Sequence, residues 1–136
     1  MSRHGYSDDL DPLELGRWRG MVSSAIRGKR GQKFLREMLS ALDSMEEKRL
    51  VGGVLGTEHG GVCALGAVLK GRGEDVSAFD PYDHKKLAAL MDVSYCLIQE
   101  VEFVNDDTGA MSTFERWETV RAWVVKRIND DEKLDD

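Results

Sequence analysis

The sequence has little cysteine, little proline and no long apolar run, and each scarcity excludes something. Only two cysteines, Cys63 and Cys96, occur in 136 residues, and neither belongs to a CxxC pair. They cannot supply a disulfide framework, nor the roughly four closely spaced ligands of a structural zinc site. The expectation is two buried thiols in the cytoplasm, with neither a metal nor another cofactor. No stretch approaches the ~20 apolar residues of a membrane span. The polar, acidic N-terminus lacks the apolar segment of a signal peptide, so no membrane partner is expected.

Carboxylates are also missing, locally. Between Arg17 and Arg36 there is no acidic residue, while Arg17, Arg19, Arg27, Lys29, Arg30, Lys33 and Arg36 are all basic. Residues 50–136 carry nine basic and seventeen acidic side chains. The net charge of −6 therefore hides a bipolar molecule, which can steer a partner without naming it.

With 41% hydrophobic and 32% charged residues, the chain has the composition of a globular protein with a real core. Residues 1–10 show no periodicity and read as a loose tail. Asp11-Pro12-Leu13-Glu14 is a helix start, with a cap, a proline at the first helical position and a glutamate reaching back. The helix carries Leu15, Trp18, Val22, Ala25 and Ile26 on one face and ends at Gly28. A link over residues 27–31 leads to a second helix near 31–43, striped by Phe34, Leu35, Met38, Leu39 and Leu42, so the two suggest an αα-hairpin.

Eight glycines in residues 49–73 argue against one long helix there. A small β-hairpin about Gly60-Gly61 and a short helix from Cys63 to Gly71 are expected. Asp80-Pro81 signals a further helix to Met91, Val93-Ser94 a turn, and Tyr95–Asn105 another helix. Ser112-Thr-Phe-Glu115 is a capping box for a final helix, with Phe114, Trp117, Val120, Val124 and Ile128 inward. The tail 129–136 is acidic and reads as frayed. The fold class is thus mostly α: a bundle of five to six helices over residues 11–128, with at most one small β-hairpin.

Three constellations could carry function. Residues 87–101 resemble a helix-turn-helix, but Asp92 replaces the usual turn glycine. The would-be reading helix shows Gln99, Glu100 and Glu102 and no cation, whereas phosphate binding needs cations. The second is the basic block, with Arg17, Arg27, Lys29, Arg30, Lys33 and Arg36 as partner- or phosphate-binding candidates. Gly28 and Gly31 would let a ligand approach the start of the second helix. The plainer reading is a solvated basic face. The third is acidic: Glu100, Glu102, Asp106 and Asp107, joined by the C-terminal tail, could mimic a nucleic-acid backbone or dock a basic partner. Catalytic signals are weak. His59 and Cys63 lie four apart without further ligands or an evident base, and Gly52–Thr57 lacks the lysine of a phosphate-binding loop.

RWRGMVSSAIRGKRGQKFLREMLSALDSM (17–45), CALGAVLKGRG (63–73) and ERWETVRAWVVKRI (115–128) resemble a group of small uncharacterised proteins encoded by phages and prophages of proteobacteria. The resemblance runs over about residues 16–128. It implies no site residues, only a context in which small accessory proteins bind host or phage machinery, host defence complexes included. The leading expectation is a non-enzymatic binding protein of this kind, in the host cytoplasm, monomeric or homodimeric, with a protein partner. The alternative is a nucleic-acid binder using the Arg17–Arg36 block or the 87–101 unit. A third is an enzyme built around Cys63 and His59.

Overall fold

The computed structural model describes residues 2–6, 11–107 and 112–128. Among these are six helices: α1 (Pro12–Arg27), α2 (Lys29–Ser44), α3 (Ala64–Gly71), α4 (His84–Met91), α5 (Tyr95–Asp106) and α6 (Thr113–Arg127). A 3-10 turn covers Val76–Ala78. The expected acidic tail lies outside the described residues.

Asp11 and Ser112 cap the helices whose starts the sequence assigns to them. Asp11 accepts from the Glu14 amide at 2.9 Å to start α1. Ser112 and Glu115 form a reciprocal capping box at α6. Lys126 and Arg127 follow in the last turn of α6, where cations favour the helix dipole.

The link between α1 and α2 is shorter than expected. Gly28 alone, in an extended conformation, separates them. Gly31 lies inside α2 rather than in a loop, and a Cβ on it would sit 1.8 Å from the Ala25 carbonyl oxygen. Its missing side chain therefore lets α2 pass against the backbone of α1 and does not open space for a ligand.

The expected β-hairpin reduces to one antiparallel bridge between Gly56 and Val62. The Cys63 amide donates to the Leu55 carbonyl at 3.1 Å, and the Val51 amide to the Val62 carbonyl at 2.9 Å. The chain is folded back without pairing long enough for strands, as the glycine content favours. Asp80-Pro81 also differs from expectation. Asp80 accepts from the Tyr82 amide to close a turn, and Asp83 caps α4 instead, accepting from the Lys86 amide.

α5 is central, with α1, α3, α4 and α6 packed around it, while α2 joins α1, α3 and α6. The core they share holds Phe34, Leu35, Met38 and Leu42 of α2, Leu65 and Leu69 of α3, Leu87 of α4, Leu97, Ile98 and Val101 of α5, and Val120 and Val124 of α6. Each such side chain contributes roughly 1.5–3 kcal/mol by leaving water. α1 stands apart: of its sixteen residues only Val22 is buried. Leu13 and Met21 are exposed.

The largest departure is at the N-terminus. Residues 2–6, expected within a loose tail, are docked on the bundle, with Arg3 3% and His4 2% exposed. None of these residues belongs to the apolar core cluster, and their docking combines polar contacts with ring packing on Phe103.

Candidate functional site

Two regions take in most of the residues singled out by the sequence, one at the start of α5 and one along its remainder. The first is a groove of about 980 Å³ between α1, the start of α2 and the start of α5. Met21, Ala25, Val93 and Cys96 give it apolar walls, and Arg17, Lys29 and Arg30 stand around it. α1 supplies Arg17 and Met21 one helical turn apart, so both face the same way. Arg30 is tethered by an exposed contact to Asp92, 3.3 Å away. Both α2 and α5 present their N-termini here, capped by Gly28 and Ser94 without a side-chain hydrogen bond. The first amides of two helices, with their partial positive charge, therefore point toward the groove from its edges. Burial pushes the Cys96 thiol up, so it stays a neutral part of the floor.

Of the six basic candidates, the groove gathers Arg17, Lys29 and Arg30. Arg27, Lys33 and Arg36 are exposed but do not line it. Lys33 acts instead on Glu37, which pairs with Arg72 at 2.6 Å.

The second region lies along α5. Arg3 donates to Asp106 twice, Nε to Oδ2 at 2.8 Å and Nη2 to Oδ1 at 3.0 Å. Its Nη1 approaches Cys63 Sγ at 3.5 Å, and its Nε lies 3.9 Å from Glu102 Oε2. Glu102 is fully buried. Its Oε1 is 2.7 Å from His84 Nε2, while Oε2 has no hydrogen-bond partner. Asp106 also accepts from the Gly53 amide at 2.9 Å and from the Asn105 side chain at 2.9 Å. Next along, His4 Nε2 is 2.5 Å from Asp107, and its Nδ1 accepts from the Tyr6 amide, so Nε2 carries the donated proton. The Tyr6 hydroxyl donates to Glu100 at 2.8 Å, and Gln99 donates to the His4 carbonyl at 2.9 Å.

The electrostatics divide the two inner carboxyls. Burial pushes Glu102 up to about 8, with Arg3 opposing and Asp106 adding to the rise. Burial works in the same sense on Asp106, but the hydrogen bonds from Arg3, the Gly53 amide and Asn105 prevail and hold it below the ordinary aspartate range. Burial also lowers His84, against a hydrogen bond with the Arg3 backbone. At neutral pH the pair is therefore a neutral imidazole that accepts a hydrogen bond from the protonated Glu102 carboxyl. Asp106 is the anion that faces the Arg3 guanidinium.

These positions correct the acidic-surface expectation. Glu102 and Asp106 do not form an open anionic face, because α5 turns them toward the N-terminal segment. Glu100 and Asp107 are partnered by Tyr6 and His4. The helix-turn-helix reading also meets a geometric obstacle. α4 and α5 do pack across a turn, with Asp92 in the left-handed conformation at φ 57°. Yet α1, α3, α4 and α6 all pack on α5, and its outward residues Gln99 and Glu100 are engaged by the N-terminal segment, so it offers a DNA groove no cationic face. His59 is exposed while Cys63 is buried, so the two do not form a site. Cys63 Sγ instead caps α3, accepting from the Gly66 amide at 3.4 Å. Among the described residues no three His, Cys, Asp or Glu side chains are grouped as a metal site requires. No helix there is long and apolar enough to cross a membrane.

Arg3, His4, Tyr6 and Asn105 were not foreseen. A signal for them exists: Ile98, Val101, Glu102 and Asn105 share one helical face by their spacing. A carboxylate and an amide on an apolar stripe demand buried partners.

Comparison with protein-family models, with curated proteins and with solved structures yields no match to this chain. The described residues form an all-α bundle bearing a basic groove and a docked N-terminal segment.

Proposed function

We propose that the protein is a non-enzymatic binding module of phage accessory type, acting in the host cytoplasm. Its basic groove receives an acidic, amphipathic segment of a protein partner, and occupying that segment inhibits or regulates the partner, a host defence complex being one such target. The observation that carries this reading is the groove's composition: apolar walls at Met21, Ala25 and Val93 beneath Arg17, Lys29 and Arg30. Apolar walls reward a side chain that leaves water, and cations with helix N-termini reward carboxylates.

A duplex is a poorer fit. Nucleic-acid binders commonly neutralise on the order of six to ten phosphates, and three cations on a chain of net charge −6 fall short. The exposed face of α1 extends the apolar surface beyond the groove, through Leu13.

The test uses defined probes: a fluorescent acidic amphipathic helical peptide, its scrambled isomer, and a random-sequence duplex. The proposal expects saturable binding of the first, with K29E/R30E weakening it at least about tenfold, as the loss of two charge-assisted contacts implies. Salt-dependent binding of the duplex without binding of the peptide would move the assignment to nucleic acid. Binding of neither probe overturns the groove as a docking site.

A further inference from the structure

Residues 2–6 meet the bundle as a bound peptide does. Their recognition is by side chains, and the partners are far away in sequence. Arg3 enters a slot formed by Cys63, Glu102 and Asp106, where it is 3% exposed. His4 packs edge-on against Phe103 and reaches Asp107, Tyr6 leans on Phe103 and reaches Glu100, and Gln99 fixes the His4 carbonyl. Three side chains of the segment are thus held along one face of α5 and its C-cap, from Glu100 to Asp107.

The slot is specific for a guanidinium. Two parallel N–H donors match the two oxygens of Asp106, and a third N–H faces a sulfur, an arrangement that a lysine ammonium cannot reproduce. The slot is also incompletely satisfied by its occupant. Glu102 Oε2 is buried without a hydrogen-bond partner, 3.9 Å from Arg3 Nε. A buried carboxyl oxygen aimed into an occupied slot marks a recognition site that can accept one more donor.

We propose that this face of α5 is a recognition site for an arginine-bearing basic peptide, and that residues 2–6 are its tethered occupant. Any segment presenting arginine, then an aromatic or imidazole ring, along the same line meets the same partners. The N-terminal segment then acts as a competitor in cis, and a partner's basic segment gains the site only by displacing it. This second site is opposite in charge to the groove, and its test is independent of the groove's.

The experiment uses the full chain with Arg3→Ala, which empties the slot, and the peptide acetyl-Ser-Arg-His-Gly-Tyr-amide as probe. Calorimetric titration is expected to show saturable binding to R3A, and the melting temperature of R3A should rise toward that of the wild type as peptide is added. The wild type, with its slot filled, should bind at least tenfold more weakly. The same peptide with lysine for arginine should also bind R3A at least tenfold more weakly, and D106N added to R3A should abolish uptake. Absence of binding to folded R3A, or equal binding of the lysine peptide, overturns the proposal. If R3A does not fold alone, saturating peptide must restore its helical circular dichroism and must raise the melting temperature of R3K. Failure of either overturns the proposal equally.

Discussion

Arg3 and Asp106 are joined by two hydrogen bonds, at 2.8 and 3.0 Å, across 103 residues of sequence. The pair closes the chain on itself and holds the glycine-rich segment as well, because Asp106 also accepts from the Gly53 amide. Its partners make it costly to break on one side only.

Removing Asp106 should therefore destabilise strongly. D106A leaves Arg3 buried beside Glu102 without its anion, and breaking one side of a buried pair costs about 3–5 kcal/mol. Urea denaturation of D106A, R3A and the double variant checks this. The double variant should lose clearly less than the sum of the two singles, since neither charge is then orphaned.

The pH dependence follows from Glu102. Its folded pKa of about 8 lies above the ordinary value of 4.5, so the folded state binds more protons than the unfolded state between these limits. Stability from this group is full below about 4.5 and is lost as pH rises through about 8. His84 has the opposite sense, its folded pKa being lowered, and costs stability as pH falls below 6.5. Asp106, held low, costs stability only at lower pH still. Between pH 6.5 and 8 the Glu102 effect stands alone, at roughly 1 kcal/mol per pH unit. Melting curves over this range should fall for the wild type and stay nearly flat for E102Q.

The glycines of the first two helices should separate cleanly. G31A drives a Cβ into the Ala25 carbonyl and should cost about 1–3 kcal/mol, with a shift of α2 against α1. At Gly16 a Cβ meets nothing within 4 Å, so G16A should be neutral or stabilise by up to about 1 kcal/mol through helix propensity. Thermal unfolding of the two variants side by side measures the difference.

Aromatic and aliphatic residues of the last helices give a further contrast. Leu97 is fully buried, and L97A should cost about 2–5 kcal/mol. Phe114 is 49% exposed and only stacks on Trp117, with ring centroids 6.4 Å apart. F114A should stay below about 1 kcal/mol on chemical denaturation, as an aromatic pair at the surface implies.

Much of the fold was legible because it rests on local signals. Asp11, Ser112 and Glu115 set helix starts through contacts within four residues, and the stripe from Phe34 to Leu42 marks an inward face by period alone. Phe114 was misplaced because it sits in the first turn of α6, where the stripe runs past the edge of the core. Asp80 was misread as a cap because its turn chemistry is the same for one residue pair as for a helix start. The docked N-terminus was not legible. Arg3, His4 and Tyr6 have no periodic pattern, and their side-chain partners on the bundle lie 60 to 103 residues away. Of the basic block, spacing could separate Arg17 from Arg19. It could not show that the groove takes in Lys29 and Arg30 yet leaves Lys33 and Arg36 outside, because that depends on how α1 crosses α2 at Gly31.

The central claim is that the groove between α1, α2 and α5 receives an acidic partner segment, and amide chemical-shift mapping tests it most directly. Titrating the 15N-labelled protein with the acidic amphipathic peptide should perturb Gly20, Met21, Ala25, Lys29, Val93 and Cys96 together, while Glu37, His59 and Arg121 stay in place. Shifts scattered over the surface, or confined to positions outside those lining the groove, would contradict it.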